Sequence, residues 1–94
     1  MRLTILGCFG PYPPAGGACS GYLIQENDTN VLIDCGNGVL SRLQTYIDFK
    51  DLDAIIISHL HADHSCDLQV MRYGLELAYN DGQISRPLPL YAPS

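Results

Sequence analysis

The stretch that most limits what this chain can become runs Ala54-Ile55-Ile56-Ile57-Ser58-His59-Leu60-His61-Ala62-Asp63-His64-Ser65. A short apolar run leads directly into four metal-binding side chains. Ala54 to Ile57 is rich in β-branched residues and reads as a buried strand. All three histidines of the chain fall within six positions, with Asp63 among them. Imidazole and carboxylate together suit zinc, and iron or manganese with less preference. A strand holds side chains i and i+2 on one face. His59 and His61, at the strand's end, are therefore expected to point at one cation. Asp63 and His64 are neighbours and cannot share that direction, so a turn would aim them at a second cation. The zinc-protease arrangement puts two histidines at i and i+4 on a helix. No histidine pair here has that spacing, which excludes it.

The segments on either side alternate between strand and helix patterns. Arg2–Cys8 reads as a first strand. Phe9–Ala18 holds Gly10, Gly16, Gly17 and three prolines, which makes it a loop. It is either a surface connection or the border of a substrate cleft. Cys19–Glu26 and Val31–Cys35 read as a hairpin joined by the turn Asn27-Asp28-Thr29-Asn30. Gly36-Asn37-Gly38 ends it, and a helix is expected over Val39–Tyr46 with Leu40, Leu43 and Ile47 on one face. After His64, Ser65 or Asp67 is expected to cap a helix running to about Tyr79. Leu68, Met71, Leu75 and Ala78 form its core-facing stripe, and Met71 and Tyr79 read as packing residues. Gly82 is the natural stop. Pro87–Ala92 is a short extended segment, and Pro89 favours an edge position.

His59-Leu60-His61-Ala62-Asp63-His64 resembles the HxHxDH signature of the metallo-β-lactamase-fold hydrolases. The resemblance implies that His59 and His61 hold one metal and that Asp63 and His64 hold another. Two zinc ions (Zn2+) are implied for a complete site, with manganese or iron as substitutes. Leu32-Ile33-Asp34-Cys35-Gly36 is similar to the LxDxG stretch of the same fold, where the aspartate lies under the metals. Asp34 is the candidate for that supporting role, because carboxylates behind a metal site fix the tautomer and direction of bound histidines. The other reading of Asp34 is a strand-ending residue that caps the next turn. The fold implied is α/β, in layered α+β form, with residues 1–94 as the N-terminal half of a four-layer αββα sandwich.

The chemistry implied is metal-assisted hydrolysis. Bound metals lower the pKa of water to about 7, giving hydroxide at neutral pH, and polarise the scissile oxygen. Asp63 is the candidate catalytic residue, shuttling a proton. The Gly7-Cys8 start, the Gly/Pro loop, Ser20-Gly21-Tyr22-Leu23 and Asp34-Cys35-Gly36 look most like the ribonuclease Z branch. That branch processes tRNA 3′ ends and includes related phosphodiesterases. Asn37 and Val39 stand where it usually has Glu and Gln, and its tRNA-gripping arm is not visible. The expected function is thus a phosphodiester-cleaving metallohydrolase, with RNA a candidate substrate. The alternatives are hydrolysis of another ester, thioester or lactam, and a metal-binding fragment without turnover.

Composition adds bounds. Apolar residues make up 47% of the chain, which suits a folded domain. The net charge of −5 does not favour a nucleic-acid partner on this segment, although bound divalent cations reverse the sign locally. No apolar run approaches the ~20 residues that span a bilayer, and Gly10-Pro11 interrupts the first one too early for a secretory signal. A cytoplasmic protein without a membrane partner is expected. Cys8, Cys19, Cys35 and Cys66 show no CxxC pairing and read as small buried thiols. Cys66 follows His64 closely, but thiolates usually build closed structural zinc sites in other spacings.

Ligand counting adds one more expectation. Two zinc ions need about eight coordination positions, and four side chains with a shared water fill about six. Either one metal binds, or ligands come from outside these residues. The resemblance implies a third histidine, a bridging aspartate and a last histidine downstream, so the chain is expected to be the N-terminal part of a longer enzyme. Half a sandwich exposes an apolar sheet face. A second copy or another chain covering that face is expected.

Overall fold

Strand alternation gives the sheet two unlike faces. In the computed structural model, which describes residues 1–85 and 87–93, the strands are β1 (Arg2–Gly7), β2 (Gly21–Glu26), β3 (Thr29–Ile33), β4 (Ala54–Ile56) and β5 (Leu90–Tyr91). They form one sheet in the order β1-β2-β3-β4-β5. The first three run antiparallel, and β4 and β5 join in parallel. Parallel neighbours need crossover connections. Helix α1 (Val39–Leu43) with a 3-10 turn at Phe49–Asp51 makes the first, and helix α2 (Ala62–Asn80) makes the second. The architecture is mixed α/β.

Leu23, Leu32 and Ile55 lie in register across the central strands and are almost fully buried. Val39 and Leu43 of α1 and Met71 of α2 pack into the same cluster. The neighbouring register row, Ile5, Tyr22, Ile33, Ile56 and Tyr91, points the other way. Ile5 and Tyr91 in that row are each 61% exposed, so this face is open among the described residues.

Several boundaries differ from expectation, for physical reasons. The hairpin turn is only Asn27-Asp28, because Asn27 adopts φ 53° and lets Glu26 pair directly with Thr29. Strand β3 stops at Ile33 because Asp34 takes φ 62° and turns the chain out of the sheet. Helix α1 ends at Leu43, and i to i−3 bonds from Thr45 to Arg42 and Tyr46 to Leu43 tighten the chain beyond it. The 3-10 turn was not visible in the sequence. Asp48 caps it by accepting from the Lys50 amide at 3.0 Å.

Helix α2 starts at Ala62, ahead of both expected caps. Ser65 and Asp67 lie inside it, and its cap position is His61. Of its expected core stripe, Met71 and Ala78 are buried, and Leu68 and Leu75 pack half-buried against the core. Tyr79 is 59% exposed and is not a packing residue. Gly82 closes the helix with φ 75°. Strand β5 is an edge strand, as Pro89 suggested. Cys19 and Cys35 are buried, whereas Cys8 and Cys66 are exposed, so only half of the thiols are core residues. In the Tyr91–Ser94 stretch, Ser94 lies outside the described residues. No described helix is long and apolar enough to cross a membrane.

Candidate metal centre

Strand β4 ends at Ile56, and His59 and His61 lie in the segment that follows it. Strand alternation therefore does not orient them. Their ring centroids are 6.4 Å apart. Two imidazoles on one tetrahedral zinc would stand about 5 Å apart, with Zn–N near 2.1 Å. His59 is closer to His64, at 4.8 Å. Asp63 and His64 occupy the first turn of α2 rather than a free turn. A carboxylate there is favourably placed against the positive end of the helix dipole.

Backbone bonds fix that first turn. The Cys35 amide donates to the His64 carbonyl at 2.7 Å, and the Ser20 amide donates to the Asp63 carbonyl at 3.1 Å. The Asp67 amide returns to the Cys35 carbonyl at 3.0 Å. The Asp67 carboxylate accepts from the Leu40 amide at 3.0 Å, linking the two helices. Gly36 permits this closeness, since a Cβ there would lie 2.2 Å from the Asp63 carbonyl oxygen. A Cβ at Gly10 would lie 2.7 Å from Asp63 Oδ2, so the Gly/Pro loop borders the site.

Asp34 lies beneath the histidines and is 3% exposed. Its carboxylate accepts from the Ser58 amide at 2.7 Å, from Ser58 Oγ at 2.8 and 2.9 Å, and from Ser20 Oγ at 3.1 Å. His64 Nδ1 is 2.7 Å from Asp34 Oδ2. Burial alone would raise the Asp34 pKa. Hydrogen bonds from His64, Ser58 and Ser20 outweigh it and hold the carboxyl below the usual range. An ionised carboxylate only accepts, so His64 carries a proton on Nδ1, and in the neutral ring the Nε2 lone pair is free. Nε2 is 3.5 Å from Asp63 Oδ2.

The fold thus brings His59, Asp34 and Asp63 around His64, while His61 lies at the cap of α2; His59 and His61 are both exposed. Among the described residues, no three His, Cys, Asp or Glu side chains are grouped closely enough to hold a metal ion by themselves. The donor chemistry nevertheless fits a divalent metal. A histidine whose second nitrogen is held by a buried carboxylate has the form of a metal ligand. Cys35 is a poor thiolate candidate: burial, then the neighbouring Asp67 charge, pushes its pKa up to about 12. Sequence reasoning missed Ser58, which bonds Asp34 and also lies 3.0 Å from His59 Nδ1. Its one local signal was a hydroxyl beside a candidate ligand.

Comparison with known proteins places this geometry in a family. The Metallo-beta-lactamase superfamily matches residues 14–73. The chain belongs to the metallo-β-lactamase superfamily. Within it, the chain is 40% identical over 91 residues to the probable metallo-hydrolase YhfI of Bacillus subtilis, covering 97% of this chain and 37% of that protein. It is 38% identical over 95 residues to ribonuclease Z of Clostridium acetobutylicum, covering 99% of this chain and 29% of the relative. The crystal structure of YhfI, described as a metallo-β-lactamase fold protein, superposes with a TM-score of 0.93 over 96% of this chain and 37% of that one. The short form of human tRNase Z superposes with a TM-score of 0.82 at 28% identity, over 99% of this chain and 34% of that one. The chain spans about a third of the length of these superfamily relatives.

Proposed function

We propose that this chain carries the N-terminal part of a cytoplasmic metal-dependent hydrolase that cleaves phosphodiesters, of the ribonuclease Z type. One observation carries the metal reading: Asp34 holds His64 Nδ1 at 2.7 Å beneath the first turn of α2, which leaves His64 Nε2 free beside Asp63. His59 and His61 are assigned to one metal, and Asp63 and His64 to a second. Zinc is the proposed metal, with manganese or iron as substitutes. That no three donors among the described residues group closely enough to hold an ion supports further ligands from outside these 94 residues.

When bound, such ions supply Lewis acidity that activates water and polarises the scissile phosphoryl oxygen. The chain's own residues orient and protonate. Asp34 sets the direction and tautomer of His64. Asp63, bordered by the Gly10 segment, would accept a proton from the attacking water and return it to the leaving oxygen. The phosphodiester class is supported by relatives named ribonuclease Z at 38% and 32% identity. The acidic balance of this segment does not favour a nucleic-acid grip on this part of the protein.

Hydrolysis of bis-p-nitrophenyl phosphate with zinc or manganese tests this reading. Turnover is expected, with loss in His61→Ala. Turnover of a thioester or β-lactam, with none of the phosphodiester, would overturn the substrate class. No turnover of any of them with metal bound would favour a non-catalytic metal-binding role.

A further inference from the structure

We propose that Ser58 is a positioning residue that extends the hold of Asp34 from His64 to His59. The inference rests on the metal reading of the histidines given above. Its geometry is a chain of three groups. Ser58 Oγ lies 2.9 and 2.8 Å from the two oxygens of Asp34, and 3.0 Å from His59 Nδ1. A hydroxyl has one hydrogen and two lone pairs, whereas an ionised carboxylate has no hydrogen to give. The Ser58 hydrogen therefore points at Asp34. The hydroxyl then meets His59 only as an acceptor, so His59 must carry its proton on Nδ1. In the neutral ring its Nε2 lone pair is left free.

His64 reaches the same state by a direct bond to Asp34 at 2.7 Å. One buried carboxylate thus sets the tautomers of two histidines that are assigned to different metals. It acts directly on one and through a serine on the other. The Ser58 amide separately anchors the backbone to Asp34 at 2.7 Å. Removing the hydroxyl should therefore release the His59 ring and leave the segment in place.

The test is nitrogen-15 NMR of the imidazole rings in the metal-free chain, at a pH where both rings are neutral. In the wild type, His59 and His64 should both be Nδ1–H tautomers. Ser58→Ala should shift His59 towards the Nε2–H form and leave His64 unchanged. Ser58→Thr, which keeps the hydroxyl, should restore His59. Ser20→Ala removes a different donor to Asp34 and should leave His59 unmoved. A wild-type His59 in the Nε2–H form would overturn the proposal. So would a His59 unaffected by Ser58→Ala, or shifted equally by Ser20→Ala. If circular dichroism shows Ser58→Ala to be unfolded, the wild-type tautomer of His59 decides alone.

Zinc titration by chelator competition separates this inference from the metal reading. Ser58→Ala should weaken zinc binding by about tenfold. Relay tautomers in a chain that binds no zinc would support the positioning role and overturn the metal reading. Ordinary zinc binding with an Nε2–H His59 would do the reverse.

Discussion

Replacing Asp34 with asparagine exchanges one carboxylate oxygen for an NH2 group at almost no change in volume, and asparagine also tolerates the φ of 62° found here. An amide offers one accepting oxygen and an NH2 that only donates. If the oxygen stays beneath the Ser58 amide, the NH2 takes the place of Oδ2. His64 Nδ1 approaches that atom at 2.7 Å and the two serine hydroxyls at 2.8 and 3.1 Å. The hydroxyls can rotate and accept. His64 can accept only by moving its proton to Nε2, the nitrogen proposed to bind metal. Exchanging charge-assisted bonds for neutral ones loses about 1 kcal/mol each over two or three bonds, so the variant should lose about 2–3 kcal/mol of stability. Its zinc affinity should fall by about 10–100-fold. Asp34→Ala should lose more, about 4–5 kcal/mol, since it strands the buried donors and puts at positive φ a residue that tolerates it less well than Asp or Asn. Urea unfolding without metal and zinc competition against a chelator measure the two effects. An asparagine variant with wild-type stability and wild-type zinc affinity would refute the reasoning.

Three further outcomes follow from the same contacts. Gly36→Ala would place its Cβ 2.2 Å from the Asp63 carbonyl oxygen, and should cost about 1–3 kcal/mol by urea unfolding as the first turn of α2 is displaced; unchanged stability would contradict the clamp. At pH 8 in the native state, Cys8 and Cys66 should react quickly with Ellman's reagent. Cys19 and Cys35 should not: they are buried, and their raised pKa values keep them as neutral thiols; four equally fast thiols would count against this packing. The open row through Ile5, Ile33 and Ile56 should drive self-association visible in light scattering, reduced by Ile5→Lys with Ile56→Lys. A folded wild type that stays monomeric would sink that expectation.

Much of the fold was legible because its signals are local. The β-branched run before the histidines, the hairpin strands and the Leu68–Ala78 stripe all express a short period that a window of residues can display. The histidines and Asp63 stood out as candidate donors for the same reason. What could not be read is what long-range contacts decide. The start of α2 moves back to Ala62 because the Ser20 and Cys35 amides bind the carbonyls of Asp63 and His64. Neither bond leaves a trace in the local pattern. The surroundings of Asp34 come from residues 24 and 30 positions away, so the local sequence did not mark out its neighbour Ser58. Tyr79 shows the opposite error. It read as a packing residue, yet the ring is exposed.

The metal assignment is tested most directly by elemental analysis, after thorough dialysis, of the longer hydrolase proposed to carry this segment. The prediction is zinc retained at about one to two ions per chain, and less than about a tenth of that in a variant carrying both His59→Ala and His64→Ala. A wild-type protein that keeps no metal, or a variant that keeps as much as the wild type, would contradict the assignment of these residues as ligands.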